Sequence, residues 1–256
     1  MPEIPDLNVF CTNLAKRLVG KTLTNIDILV PRRLKKPEAA FKEALEEQEL
    51  VAVTRLGKHL YFEFRDHVLS VQLMLYGSMH WYEGKNDNKF TIAELLFDDG
   101  TGLAITDWQK AVILTLDPEV SKVPDAMHLP EGYLAKALKG KMKPIKTVLQ
   151  EGKVVQGIGN AYVDEILYAA NLSPFSIADK IPEQKIKALT KAIPEVLTEA
   201  EDHIRHNFPD TITEKERDFL KVHLPKHKET PKGEPILVAE IASRKTYYTA
   251  GQELFN

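Results

Sequence analysis

Lys153-Val154-Val155-Gln156-Gly157-Ile158-Gly159-Asn160-Ala161-Tyr162-Val163-Asp164-Glu165-Ile166-Leu167-Tyr168 occupies the middle of the chain's helical half. Two glycines stand directly before an apolar-periodic run, so a close backbone turn opens into a helix over about 160 to 170. Unpaired N–H groups at such a start favour an anion, and Asn160 adds a side-chain donor. A Gly-x-Gly turn by itself is more often only structural. With Lys146 and Lys153 beside it, and Lys139, Lys141 and Lys143 nearby, it reads better as a clamp on a backbone phosphate.

Downstream, helical periodicity covers about 182 to 206 and 213 to 222, a charged loop runs from Lys226 to Pro235, and two strands close the chain. These strands, Ile236 to Ile241 and Lys245 to Thr249, are joined through Ala242-Ser243-Arg244. Upstream lie shorter helices over about 131 to 139 and 145 to 151, preceded by a linker from Pro118 to Pro130. Before that linker the texture is β-like. Short runs at Leu23 to Val30, Leu50 to Val53, His59 to Phe64, Val68 to Leu73, Ser78 to Tyr82, Ile92 to Phe97, Leu103 to Thr106 and Val112 to Leu116 alternate with turn residues. Such a pattern predicts a two-sheet sandwich or a barrel, with one helix inside it over 37 to 47. At the start, Asp6 is expected to cap a helix whose apolar face is Leu7, Phe10, Cys11, Leu14 and Leu18, with Gly20 as its stop. That places Cys11 in core packing.

With 256 residues, 43% hydrophobic and 28% charged, the chain has the make-up of a soluble globular protein with room for two domains. It shows no basic-apolar leader and no unbroken apolar run of about eighteen residues, so a cytoplasmic location is expected and membrane spanning is not. A single cysteine excludes internal disulfides and multi-cysteine zinc sites. A net charge of −3 leaves any phosphate-binding surface to local concentrations of Lys and Arg.

Met1-Pro2-Glu3-Ile4-Pro5-Asp6 opens the chain. Methionine before proline is normally removed, which leaves Pro2 with a secondary amine and Glu3 beside it. A terminal amine titrates near ~8 and a lysine near ~10.4, so at neutral pH it is roughly a hundredfold richer in free base. Such an amine attacks electrophilic carbon and forms a Schiff base with a sugar aldehyde. Met-Pro starts are common and most merely begin a strand or helix, so support must come from elsewhere.

Four separated pieces supply it: Pro2-Glu3-Ile4-Pro5, Arg55-Leu56-Gly57-Lys58-His59-Leu60, Gly157-Ile158-Gly159-Asn160 through Ser173-Pro174, and Ser243-Arg244-Lys245-Thr246-Tyr247-Tyr248. In this order and spacing they resemble the formamidopyrimidine-DNA glycosylase and endonuclease VIII family of base-excision repair enzymes. The resemblance implies an α+β chain with an N-terminal two-sheet β-sandwich catalytic domain over 1–117. It further implies a helix-two-turn-helix DNA-binding domain over 131–225 and a β-hairpin finger over 226–256. Such enzymes flip a damaged nucleotide out of the duplex, because C1′ cannot be reached inside the stack. By the resemblance Pro2 would attack C1′, Glu3 would act as general acid and base around the opening sugar ring, and Lys58 would assist phosphate elimination. Asn160 and Arg244 match positions that grip the phosphates flanking the flipped nucleotide, and Lys146 matches a lysine near the lesion. No cofactor is implied. The implied partner is double-stranded DNA with damaged bases or abasic sites, bound by a monomer away from any membrane, in the cytoplasm and, if the source is bacterial, on the nucleoid.

The chain departs from the family in instructive places. The usual finger holds zinc on four cysteines, whereas Leu224 to Gln252 contains none, and neither His223 with His227 nor His203 with His206 has a completing ligand. A zincless finger is therefore expected. Structural zinc supplies ~10–16 kcal/mol of coupled folding energy, and a lone hairpin is marginal in water. Burial of Ile236, Val238, Ile241, Tyr247, Tyr248 and Phe255 against the helical domain is expected to hold the hairpin instead. Where the family commonly has a His-Leu-Gly-Met segment, an Arg and a Phe wedge, this chain has Gln72-Leu73-Met74-Leu75 and Asp107-Trp108-Gln109-Lys110-Ala111. Leu75 is still an apolar wedge for unstacked DNA, Gln109 lacks arginine's fork, and Ala111 is too small to intercalate. Trp108 is a candidate to substitute as the wedge, although a strand tryptophan is more often core. Weak or differently built opposite-base discrimination is expected. Asp6 stands for a second glutamate, and the short segment before the hairpin leans towards ring-opened purines or oxidised pyrimidines as substrates.

Taken together the chain reads as a bifunctional DNA glycosylase and abasic-site lyase. A non-catalytic damaged-DNA binder on the same scaffold is the first rival, and an unrelated binding protein with a basic helical domain is the second.

Overall fold

Alternation of period two is clearest in the strand His59–Phe64, where every second residue, Leu60, Phe62 and Phe64, is buried. The computed structural model describes residues 1–213 and 215–256. Two units are present, one formed by Met1–Val120 with Ile204–Lys215 and the other by Ser121–His203 with Glu216–Asn256.

The first unit holds α1 (Ile4–Leu18), β1 (Leu23–Ile28), α2 (Glu38–Leu45), β2 (Leu50–Leu56), β3 (His59–Phe64), β4 (Val68–Gln72), β5 (Ser78–Glu83), β6 (Thr91–Phe97), β7 (Thr101–Thr106) and β8 (Ile113–Leu116). Every strand pairs antiparallel, in two four-stranded sheets of order β1-β6-β7-β5 and β2-β3-β4-β8. Both sheets feed one core, Leu60, Phe62 and Leu69 from one and Leu95, Leu103 and Ile105 from the other. This is a sandwich and not a barrel. Helix α1 packs on β2 and β3 and adds Leu7, Phe10, Leu14 and Leu18 to the same core. Cys11, partly buried against that core, donates its thiol to the Val53 carbonyl at 3.1 Å, which is a packing role.

The second unit contains α3 (Tyr133–Ala137), α4 (Ile145–Gln150), α5 (Asn160–Ala169), most of α6 (Glu183–Asn207) and the antiparallel hairpin β9 (Leu237–Ile241) with β10 (Arg244–Tyr248). Buried Ile186, Leu189, Ile193, Leu197 and Ala200 recur every three or four residues along α6, giving it one apolar face. Helix α5 packs on both α4 and β10. No helix among the described residues is long and apolar enough to cross a membrane.

Three local expectations need correction. Glu3, not Asp6, is the N-cap of α1; Asp6 lies three residues inside and closes a reciprocal capping box with Glu3. Of the helix expected over 213 to 222, residue 214 lies outside the described residues and the rest is turn and coil. There the backbone N–H groups of Lys221, Val222 and His223 all donate to the Glu165 carboxylate, at 2.9, 2.8 and 2.7 Å, so they are not available to a helix. Finally, Val238 is 59% exposed. Apolar burial of the hairpin falls to Ile241 and Tyr247, with Ile236, Tyr248 and Phe255 half-buried.

Backbone stitching supplies the remainder. Beyond β10 the tail runs beside residues 172–177: Ser173 N–H donates to the Glu253 carbonyl at 2.8 Å and Ile177 N–H to the Phe255 carbonyl at 2.7 Å. Gln252 clips the bend between them, its oxygen accepting Thr249 N–H at 2.7 Å and its amide donating to the Leu172 carbonyl at 2.8 Å.

The hairpin turn is two residues long, and both Ala242 (φ 49) and Ser243 (φ 60) are left-handed. Tight hairpins demand this conformation but favour Asn-Gly for it, since a Cβ there costs about 1 kcal/mol or more. Ala242→Asn with Ser243→Gly is expected to stabilise the second unit by about 1 kcal/mol. A thermal midpoint that stays put or falls would contradict this account of the turn.

Candidate active site

The N-terminal group is built by the start of α1. Pro2 and Glu3 are buried and Met1 is exposed. Glu3 N–H donates to Asp6 Oδ2 at 2.8 Å, while the Glu3 carboxylate accepts the Asp6 N–H. The shorter aspartate still reaches. This exchange fixes both backbone and side chain of the residue that follows Pro2.

Lys58 stands just after Gly57, whose φ of 61 allows the tight β2–β3 turn. Arg55 donates from Nη1 to the Gly57 carbonyl at 2.9 Å and from Nε to Asn8 Oδ1. One guanidinium thus ties the turn bearing Lys58 to the helix that begins with Glu3. Arg55 had stood out only as part of a motif; its role depends on Asn8, 47 positions away. Beside Lys58, burial pushes the His59 imidazole below the usual histidine range.

Two loops of the same unit carry the expected DNA-inserting residues. The β4–β5 loop is closed by Gly77 N–H on the Leu73 carbonyl at 2.9 Å, and a Cβ on Gly77 would lie 2.0 Å from that carbonyl oxygen. Its tip exposes Leu75 and Tyr76. The β7–β8 loop is organised by buried Asp107, whose carboxylate accepts the N–H groups of Gln109, Ala111 and Val112 at 2.8, 2.7 and 3.1 Å. That leaves Trp108 and Gln109 exposed, so Trp108 is not core. The rings of Tyr76 and Trp108 lie 4.9 Å apart, joining the two loop tips in one aromatic step. Tyr76 was missed in the sequence, where it is one more aromatic in an apolar run.

In the second unit, Gly157 (φ 97) and the N-cap Gly159 lead into Asn160, the first residue of α5. Asn160 Nδ2 donates to the Lys245 carbonyl at 3.1 Å, and its oxygen accepts Gln150 Nε2 at 3.0 Å. The helix start is therefore linked to β10, next to exposed Arg244. Lys139, Lys141 and Lys153 are exposed. Lys143, also exposed, pairs with Glu151 and holds that carboxyl below the usual range. Lys146 departs from expectation: it is wholly enclosed, its ammonium 2.7 Å from Asp164 Oδ1 and 3.1 Å from the Lys245 carbonyl. A lysine so placed acts on the hairpin and does not reach out to a phosphate. Asp164 and Glu165 were also missed, and His223 had drawn notice only as a metal ligand without a completing set. Two adjacent acids among Tyr162, Val163, Ile166 and Leu167 were the available signal. Burial pushes the Glu165 carboxyl above the usual range, against the three backbone N–H groups it accepts. Among the described residues, no three His, Cys, Asp or Glu side chains converge as a metal site would need.

Comparison with known proteins matches residues 1–112 to the formamidopyrimidine-DNA glycosylase N-terminal domain and residues 120–207 to the formamidopyrimidine-DNA glycosylase H2TH domain. The formamidopyrimidine-DNA glycosylase of Enterococcus faecalis is 31% identical over 215 residues, covering 78% of this chain and 76% of its own. That of Mycoplasma mobile is 28% identical over 273 residues, covering 97% of each. A crystal structure of a Lactococcus lactis Fpg mutant with Fapy-dG-containing DNA has a TM-score of 0.86 at 25% identity, covering 97% of this chain and 98% of that one. With the sandwich, the helix-two-turn-helix and these matches in hand, the chain belongs to the formamidopyrimidine-DNA glycosylase family.

Proposed function

We propose that the chain is a base-excision-repair DNA glycosylase with abasic-site lyase activity, working through the Pro2 amine once Met1 is removed. The observation that carries this reading is the local build of α1: Glu3 locked beside Pro2 by Asp6, and Arg55 tying the Lys58 turn to the same helix. Relatives named formamidopyrimidine-DNA glycosylase, and a fold neighbour bound to Fapy-dG-containing DNA, support the substrate class.

The steps follow from the chemistry. The Pro2 nitrogen bonds to C1′ of the flipped nucleotide as the C1′–base bond breaks, and the base leaves with a proton. Glu3 protonates the ring oxygen, the sugar opens, and an iminium joins Pro2 to C1′. Glu3, now a carboxylate, takes a C2′ proton, the electron pair expels the 3′ phosphate with Lys58 neutralising the departing charge, and water then releases the sugar fragment from Pro2. Asn160 and Arg244 would hold the flanking phosphates, while Leu75 and the Tyr76–Trp108 pair would fill the space left by the flipped nucleotide. No step calls on a metal or cofactor.

Duplexes with a ring-opened purine or an oxidised pyrimidine test this. Strand cleavage without alkali, at similar rates opposite all four bases because Gln109 lacks arginine's fork, is expected. Retention of an intact strand with tight binding would favour the non-catalytic rival. Trp108→Ala is expected to weaken binding to abasic-site DNA about tenfold, the worth of one aromatic stacking contact; unchanged affinity would remove Trp108 from the wedge.

A further inference from the structure

We propose that Asp164 is the centre of a metal-free staple, with Lys146 and His223, that positions Arg244; this rests on the reading of Arg244 as a phosphate-gripping residue. Four chain segments converge on one buried carboxylate. Helix α5 supplies Asp164 itself, and α4 supplies Lys146, whose Nζ donates to Oδ1 at 2.7 Å. The 221–223 segment supplies His223, with Nδ1 2.7 Å from Oδ2. Strand β10 supplies the Tyr247 N–H, which donates to the same oxygen at 3.0 Å.

A structural zinc draws ligands from separate segments to one point; here an anion draws donors to one point. Lys146 and Asn160 both donate to the Lys245 carbonyl, each at 3.1 Å, so the peptide next to Arg244 is held from α4 and α5 together. The Tyr247 ring sits edge-on to His223 with centroids 4.6 Å apart. Glu165, next to Asp164, binds the backbone amides of Lys221, Val222 and His223 and so delivers the imidazole.

Apolar packing alone would position the hairpin poorly. Leu237 and Val238 of β9 are exposed, and so are Ala242, Ser243 and Arg244 around the turn. Buried charges are costly unless fully partnered, and their best-attested benefit is to fix register. Asp164, Lys146 and His223 act through Arg244 and are positioning residues.

The test uses the full chain and a duplex with a stable abasic-site analogue. His223→Phe removes the donor yet keeps a ring against Tyr247; His223→Gln keeps a donor. Asp164→Asn removes the charge, and His223→Phe carries the same comparison should that variant not fold. Arg244→Ala is expected to lower the slope of log affinity against log salt by about one. His223→Phe and Asp164→Asn are each expected to weaken binding about tenfold, the effect of a lost charged hydrogen bond. They should lower the slope likewise and have little further effect in the Arg244→Ala background. His223→Gln should restore most of the affinity. Additive losses, or full affinity in folded His223→Phe, would overturn the staple while Arg244 kept its own effect. An unchanged slope in Arg244→Ala would instead overturn the phosphate reading on which the staple depends.

Discussion

Glu3→Gln is expected to lower base excision by about 10²–10⁴-fold, the range for removing a general acid and base, with little change in affinity for DNA bearing an abasic-site analogue. The fold should survive because the amide oxygen of glutamine still accepts the Asp6 N–H, and Asp6 still receives the amide of residue 3. A drop in excision with an unchanged melting midpoint therefore isolates the proton-transfer role. Full activity would remove Glu3 from the chemistry and leave it only a helix cap, which at about 1 kcal/mol is the smaller effect. The measurement is single-turnover excision with binding followed in parallel.

The second large effect concerns stability. Lys146 and Asp164 have no exposed side-chain surface and lie 2.7 Å apart. Lys146→Met leaves the Asp164 carboxylate enclosed without its cation, and breaking one partner of a buried pair costs about 3–5 kcal/mol. The loss should fall on the second unit alone. Both tryptophans, Trp81 and Trp108, belong to the first unit, so urea unfolding followed by tryptophan fluorescence should be little changed. The far-ultraviolet helical signal should melt at lower urea. Lys146→Met combined with Asp164→Leu should recover only part of the loss, because it removes the unpaired charge but leaves the Tyr247 N–H and the His223 ring without their acceptor. Equal sensitivity of both signals, or no destabilisation, would contradict the assignment of this pair to the second unit's core.

What the sequence made legible was local in origin. Short β-like runs between turn residues place all eight sandwich strands, because run and turn are both written in neighbouring residues, even where, as in Thr101–Thr106, every position is buried and nothing alternates. Gly157, left-handed with φ 97, and the N-cap Gly159 mark the start of α5. The misreadings share a different cause, long-range partners. Phe219, Leu220 and Val222 give 213–222 a helical look, yet its last amides are taken by Glu165, more than fifty positions upstream. Lys146 looked like a surface lysine until Asp164 and the Lys245 carbonyl enclosed it. Val238 is as apolar as Ile241, but only Ile241 is covered, whereas polar Thr246 is wholly buried. In the N-terminal group Pro2, Glu3 and Lys58 were legible as types, and Arg55 with Asn8, which links their elements, was not.

Borohydride reduction of the Met1-free protein on abasic-site DNA tests the central claim most directly. A covalent adduct that maps by mass spectrometry to Pro2, and disappears when Met1 is retained or the terminal amine is blocked, is the predicted result. An adduct on Lys58 or another lysine, or one formed equally well with Met1 in place, would contradict it.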